Sequence, residues 1–303
     1  MSAEESRQFG LSLFTTAKPF AGHPGIIQRN AMASWSLLEP RPEILLLGDE
    51  ENYAKAASDL GAVRVFDLER NEFGTPLLSG LFRSAHEHAQ GEVLMFLNAD
   101  IILPPKFVEA VEIVRRRFSS FLLVGRRVDL DIDEPISFDD GWYGALSDRV
   151  RTQGTLRGDL CIDYFVFTRD LFVEIPPFAI GRTRYDNWLI WKAAEAGAVV
   201  VDASGFVQVI HQNHDYGHTG GLIKAWEGVE AKRAEDLLGH WSHYHSISHA
   251  SFVLDAGGEI KPAKGLRYLF ARPRRVVGHL LRATRPLRRR AKVLLERRAP
   301  ASQ

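Results

Sequence analysis

Short apolar runs alternate with segments of helical spacing over the first 125 residues. Leu11 to Thr15 is a compact apolar run that ends on Thr15-Thr16. Apolar positions over Pro24–Leu38 recur at helical spacing, and Pro24 suits a first turn. Glu43 to Leu47 reads as a strand ending at Gly48-Asp49. Asn52–Leu60 reads as a helix stopped by Gly61, and Val63–Phe66 as a strand ending at Asp67. Pro76–Ala89 is predicted helical with Thr75 as its N-cap, and Lys106–Phe118 and Phe121–Val124 follow as helix and strand. The run Glu92 to Leu97 has no polar alternation, so it predicts a strand buried on both faces. It stops at Asn98-Ala99-Asp100. Strands separated by helices call for a parallel, doubly wound α/β sheet. Right-handed crossovers would then gather Thr15, Asp49, Asp67 and Asp100 on one edge, where open sheets place their ligands.

The second half is less regular. Asp139 to Gly158 reads as an irregular excursion carrying Trp142 and Tyr143. Leu160–Thr168 is predicted to be a strand with Asp163 inside it, where a carboxylate needs a partner such as Arg182 or Arg126. Asp186–Ala196 is predicted helical, opened by Asp186 as N-cap and closed by Gly197. Val199–Ile210 reads as a strand pair or one bent strand that runs into His211-Gln212-Asn213-His214. The expected division is a catalytic domain over 1–216, a loop and helix packed on it over 217–262, and a basic amphipathic tail over 263–303.

Charge sharpens that division. Of 38 basic and 38 acidic side chains, 12 and 1 fall in residues 266–303, leaving 26 and 37 in the rest, a net of −11. The tail interleaves arginines with aliphatics, as in Leu287-Arg288-Arg289-Arg290. That pattern suits an anionic membrane surface, or a solvated end or oligomer contact; it lacks the stacking aromatics that favour nucleic acid, which is not an expected partner. No apolar run reaches the ~20 residues of a membrane span. Cys161 is the single cysteine, so no intrachain disulfide forms, which fits a reducing compartment. A cytoplasmic location, peripheral on the inner membrane face, is the expectation.

Four features bring a family into view: Gly91-Glu92-Val93-Leu94-Met95-Phe96-Leu97-Asn98-Ala99-Asp100, Asp163-Tyr164-Phe165-Val166-Phe167, Tyr185-Asp186-Asn187-Trp188, and His211 after the last strand. With them the chain resembles the GT-A glycosyltransferases, most closely the family 2-like group, over roughly residues 9–216. The resemblance implies transfer of a sugar from a nucleoside-diphosphate sugar to a hydroxyl of a glycan or lipid-linked acceptor. Asp100 matches the carboxylate that ligates Mn²⁺ or Mg²⁺ in that family; the first acid of the family's Asp-x-Asp motif is Asn98 here. His211 matches a further metal ligand, with His214 as competitor. Thr15 and Asp49 match base and ribose contacts, Asn98 can still hydrogen-bond a ribose hydroxyl, Arg70 matches a segment that borders the nucleotide, Asp163 matches a sugar contact, and Arg182 is placed to meet a phosphate. Asp186 matches the general base of inverting members or is merely a cap; Trp142 and Tyr143 are placed for stacking on an acceptor sugar or for local packing. A sugar nucleotidyltransferase fits less well, because Ala17 to Gly25 lacks the form of its phosphate loop. A degenerate glycan-binding scaffold is the remaining alternative.

Overall fold

Thirteen strands and eight α-helices are present among the residues described by the computed structural model, which are 10–66, 68–214 and 228–269. The strands are β1 (Leu11–Thr15), β2 (Glu43–Leu47), β3 (Val63–Val65), β4 (Val93–Leu97), β5 (Ile101–Ile102), β6 (Phe121–Val124) and β7 (Arg127–Leu130). They continue with β8 (Thr155–Leu156), β9 (Tyr164–Thr168), β10 (Val199–Asp202), β11 (Val209–Gln212), β12 (Phe252–Leu254) and β13 (Ile260–Pro262). The helices are α1 (Gly22–Ser36), α2 (Tyr53–Leu60), α3 (Leu78–His88) and α4 (Phe107–Arg117), then α5 (Trp142–Gln153), α6 (Tyr185–Glu195), α7 (Val229–Leu238) and α8 (Leu266–Leu269). Asp67 and the basic tail beyond 269 lie outside the described residues.

The central sheet has the order β13-β12-β10-β6-β9-β4-β1-β2-β3. Its strands pair in parallel except around β9 and β13. Helices cover both faces, and the pleat explains why the strand sequences are apolar throughout. Phe14, Leu94 and Phe96 point to one face, where they meet Leu81 and Phe82 of α3 and Leu189 of α6. Leu13, Met95 and Leu97 point to the other, against Met32 and Trp35 of α1 and Val108 of α4. The α/β sheet expected from the alternating pattern is therefore the fold observed, parallel as expected except for the antiparallel β9 and β13.

A second, small sheet of order β5-β11-β7-β8 stands beside the strand tips, on a cluster of Ile102, Leu130, Leu146 and Ile210. It accounts for several departures from the sequence reading. The Val199–Ile210 region is two strands in two different sheets, and His211 is inside β11 rather than after it. Residues 139–158 are not irregular, because α5 occupies most of them and Leu146 is buried in the small cluster. Asp163 does not lie mid-strand; it directly precedes β9, which runs antiparallel to β4. That reversal brings Asp163 to the rim where β4 ends. Thr75 does not cap α3, which begins at Leu78. Asp186 is not the N-cap of α6; Arg184 holds that position, and Asp186 sits in the first turn.

The start of the Gly91–Asp100 segment is tied down by close backbone contact. A Cβ on Gly91 would sit 2.5 Å from the Gly10 carbonyl oxygen and 2.8 Å from Ser12 Oγ. Ser12 Oγ also accepts the Gly91 N–H at 2.9 Å. Gly91→Ala is therefore expected to destabilise the protein by about 1–3 kcal/mol, read as a lower urea midpoint at unchanged slope. Wild-type stability in that variant would show that β1 and β4 are not locked at this point.

Candidate active site

The strand order reverses between β1 and β4, since the chain adds β2 and β3 on one side of β1 and β4 on the other. A crevice outside the carboxyl ends of strands is expected at such a point. A cavity of about 390 Å³ lies there, lined by Thr15, Asn98, Asp100, Arg127, Asp163, Arg182, Tyr185, His211 and His214 among others.

The register of the small sheet explains the cluster at its floor. β11 pairs with β5 so that His211 faces Ile101, next to Asp100, and with β7 so that His211 faces Asp129. Asp100 Oδ2 lies 3.1 Å from His214 Nε2 and 3.7 Å from His211 Nε2. One ligand atom from each of these three residues falls within 4.8 Å of the others. Burial alone would raise the Asp100 carboxyl, but His211, His214 and Arg127 outweigh it and hold it down at about 2. Asp100 Oδ1 is buried and makes no hydrogen bond among the described residues. A buried anionic oxygen without a partner is costly, and a divalent cation would satisfy it. One carboxylate and two imidazoles suit Mn²⁺ better than Mg²⁺, which favours all-oxygen shells.

A layer behind the cluster escaped the sequence reading. Arg127 Nη1 donates to Asp163 Oδ1 at 2.7 Å and Arg127 Nε to Asp129 Oδ1 at 2.8 Å. Arg157 approaches the other Asp129 oxygen at 3.3 Å. Asp129 Oδ1 in turn lies 3.3 Å from His211 Nδ1, which leaves Nε2 facing Asp100. Burial lowers the His211 imidazolium, yet Asp100, Asp129 and Asp163 together raise its pKa. The available signal was the charged pair at i and i+2 in Arg127-Val128-Asp129, which a strand presents on a single face. Carboxylates behind a ligating histidine orient the ring, and their loss costs about 10- to 100-fold in metal affinity. Asp129→Asn is expected to weaken Mn²⁺ binding by that factor in isothermal titration; equal affinity would mean Asp129 is structural only.

Asn98 and Asp163 meet: Asn98 Nδ2 donates to Asp163 Oδ1 at 2.8 Å. Asp163 is thus held by Asn98 and Arg127 rather than by Arg182 or Arg126, and its Oδ2 is buried without a hydrogen bond among the described residues. The Thr15 hydroxyl lines the cavity but also donates to the Leu97 carbonyl at 2.7 Å, which ties β1 to β4. Arg182 lines the cavity with its guanidinium on Glu230 of α7. Asp49 and Arg70 are outside the lining. Asp49 is exposed, and Arg70 pairs with Glu50, which takes the position at the cavity wall. Trp142 and Tyr143 are also outside it; Trp142 packs on Phe138 at the start of α5.

Asp186 is likewise outside the lining, although its neighbour Tyr185 is part of it. It is half-buried, accepts the Asn187 N–H at 2.9 Å, and is pushed up to about 7 by burial, reinforced by Asp163 and countered by the Asn187 N–H and Arg184. A carboxylate with that pKa can take a proton near neutrality.

No family model matches this chain, and no curated protein matches it. Among solved structures it is similar to glucosyl-3-phosphoglycerate synthase from Mycobacterium tuberculosis, with TM-score 0.47 at 14% identity over 80% of this chain and 82% of that one. It is also similar to S. aureus TarS residues 1–349, with TM-score 0.46 at 11% identity over 76% and 69%. A further mycobacterial protein gives TM-score 0.47 at 15% identity over 84% and 83%.

Proposed function

We propose that this chain is a cation-dependent, inverting glycosyltransferase of the GT-A type that takes its sugar from a nucleoside-diphosphate sugar. The observation that carries this reading is the Asp100–His211–His214 cluster, with its orphaned Asp100 oxygen, at the floor of a cavity on the topological switch point. Asp100, His211 and His214 would hold the cation, which when bound supplies positive charge against a diphosphate leaving group. Asp163 Oδ2 offers an acceptor to a sugar hydroxyl, with Asn98 and Arg127 keeping the carboxylate oriented. The acceptor oxygen attacks the anomeric carbon while the bond from that carbon to the diphosphate oxygen breaks. Attack in line with the breaking bond places the new bond on the face opposite the leaving group, and Asp186 takes the acceptor's hydroxyl proton.

The test is a thermal-shift screen of nucleotide sugars with and without Mn²⁺, followed by an assay of nucleoside diphosphate release from any donor that binds. A ligand that binds only the folded chain raises its melting point by mass action. Stabilisation by a donor that requires Mn²⁺ is expected. Absence of any nucleotide-sugar effect would sink the reading, and pyrophosphate release from a sugar phosphate and a nucleoside triphosphate would point to nucleotidyl transfer instead.

A further inference from the structure

Beyond Asp186 the surface changes character. Asn187, next to Asp186, donates from Nδ2 to the His245 carbonyl at 2.6 Å and accepts the His245 N–H on its own carbonyl at 3.3 Å, so the segment that carries Trp241 and Tyr244 packs beside the start of α6. Tyr244 packs edge-on against Trp241, with ring centroids 5.6 Å apart. Arg184, two residues before Asp186, lies over both rings, 4.9 Å from the Trp241 centroid and 5.3 Å from that of Tyr244. The same guanidinium donates from Nη2 to Glu235 of α7 at 2.6 Å. Arg184 adopts this position with φ +88, a left-handed backbone that a side-chain-bearing residue rarely takes. Strain of that kind persists where the surroundings over-determine it, and it clusters at functional sites.

Trp241 is nonetheless 64% exposed. A large indole fixed in place by a cation and a second ring, yet left open to solvent beside a candidate base, is a preformed stacking surface. We infer that Trp241, Tyr244 and Arg184 form the acceptor subsite, and that it takes the ring of a neutral saccharide. The ring's apolar C–H face would lie on the aromatic surface while one of its hydroxyls reaches Asp186. An aromatic face with polar groups at its rim matches a sugar, which offers both kinds of surface. Charge argues against an anionic acceptor here. Arg184 is balanced by Glu235 and Arg182 by Glu230, while Asp186 adds negative charge when it acts as base. Like Trp142 and Tyr143 on α5, the three subsite residues stand outside the cavity lining; what sets them apart is that the segment of Trp241 and Tyr244 is hydrogen-bonded to Asn187, next to Asp186.

This inference rests on the proposed glycosyl transfer and deepens it. The test is a glycan array probed with fluorescently labelled full-length protein in the presence of Mn²⁺, using wild type, Trp241→Ala and Trp241→Phe. Circular dichroism and the Mn²⁺ thermal shift of each protein serve as controls. Wild type is expected to bind neutral saccharides, Trp241→Ala to bind at least about tenfold more weakly, and Trp241→Phe to stay near wild type. Equal binding by Trp241→Ala would overturn the assignment of the platform. Absence of saccharide binding by a wild type that still binds Mn²⁺ and a nucleotide sugar would overturn the saccharide acceptor while leaving sugar transfer in place. Absence of both would overturn the two together.

Discussion

Asp100→Ala is expected to abolish the Mn²⁺-dependent rise in melting temperature and to lower sugar transfer by about 10³-fold or more. The carboxylate is the sole acid in a cluster otherwise made of His211 and His214, and it is held ionised, at about 2, by those groups and Arg127 despite its burial. Two imidazoles alone bring no negative charge to offset the desolvation of a divalent cation. Because alanine also removes the acid that both histidines face, Asp100→Asn is the sharper variant: its shape is nearly unchanged and only the charge is lost. Isothermal titration with Mn²⁺ and a rate measurement on both proteins decide the matter. A wild-type rate in Asp100→Asn would remove this residue from the mechanism, whatever its effect on stability.

Asp186→Asn is expected to cost about 10²- to 10⁴-fold in kcat, with Mn²⁺ affinity and donor binding near wild type. The wild-type rate should fall as the pH drops below about 7, because burial raises the Asp186 carboxyl to that value and protonation removes the base. That acid limb should be absent from the residual activity of the Asn variant. Stability should move in the opposite sense. The folded state keeps a proton on Asp186 that the unfolded chain releases near 3.8, so this group's contribution declines as the pH rises from 3.8 to about 7. Asp186→Asn, which carries no charge, is accordingly expected to gain stability relative to wild type above pH 7. An unshifted pH–rate profile in the variant would leave Asp186 as a first-turn residue of α6 and nothing more.

Asp186 also illustrates how far residue order can be read. Its place at the start of a helix was legible from the apolar spacing that follows it, yet as an N-cap it would have been acidic and a weak base. The structure moves it two residues past the N-cap, where burial, with Asp163 adding to it, reverses the direction of its pKa shift. Asp49 and Arg70 show the converse. Both follow strand ends, as expected, but β2 leaves its tip exposed, and Glu50 rather than Asp49 reaches the cavity wall.

The amino-acid order alone determined the α/β class, the buried strand ending in Asn98-Ala99-Asp100, and the candidacy of Asp100 and His211. The class, the strand and Asp100 depend on local periodicity and chain direction, which are properties of neighbouring residues, while His211 was implied by the family resemblance. Only the tertiary structure decided that His214 joins them, that Arg127 and Asp129 stand behind His211, and that the segment carrying Trp241 and Tyr244 is hydrogen-bonded beside Asp186 through Asn187 and His245. Those outcomes turn on the register of β11 between β5 and β7 and on the reversed course of β9. Pairings between strands that are distant in sequence leave no periodic trace, because the hydrogen bonds that set them are made by backbone groups that every residue carries.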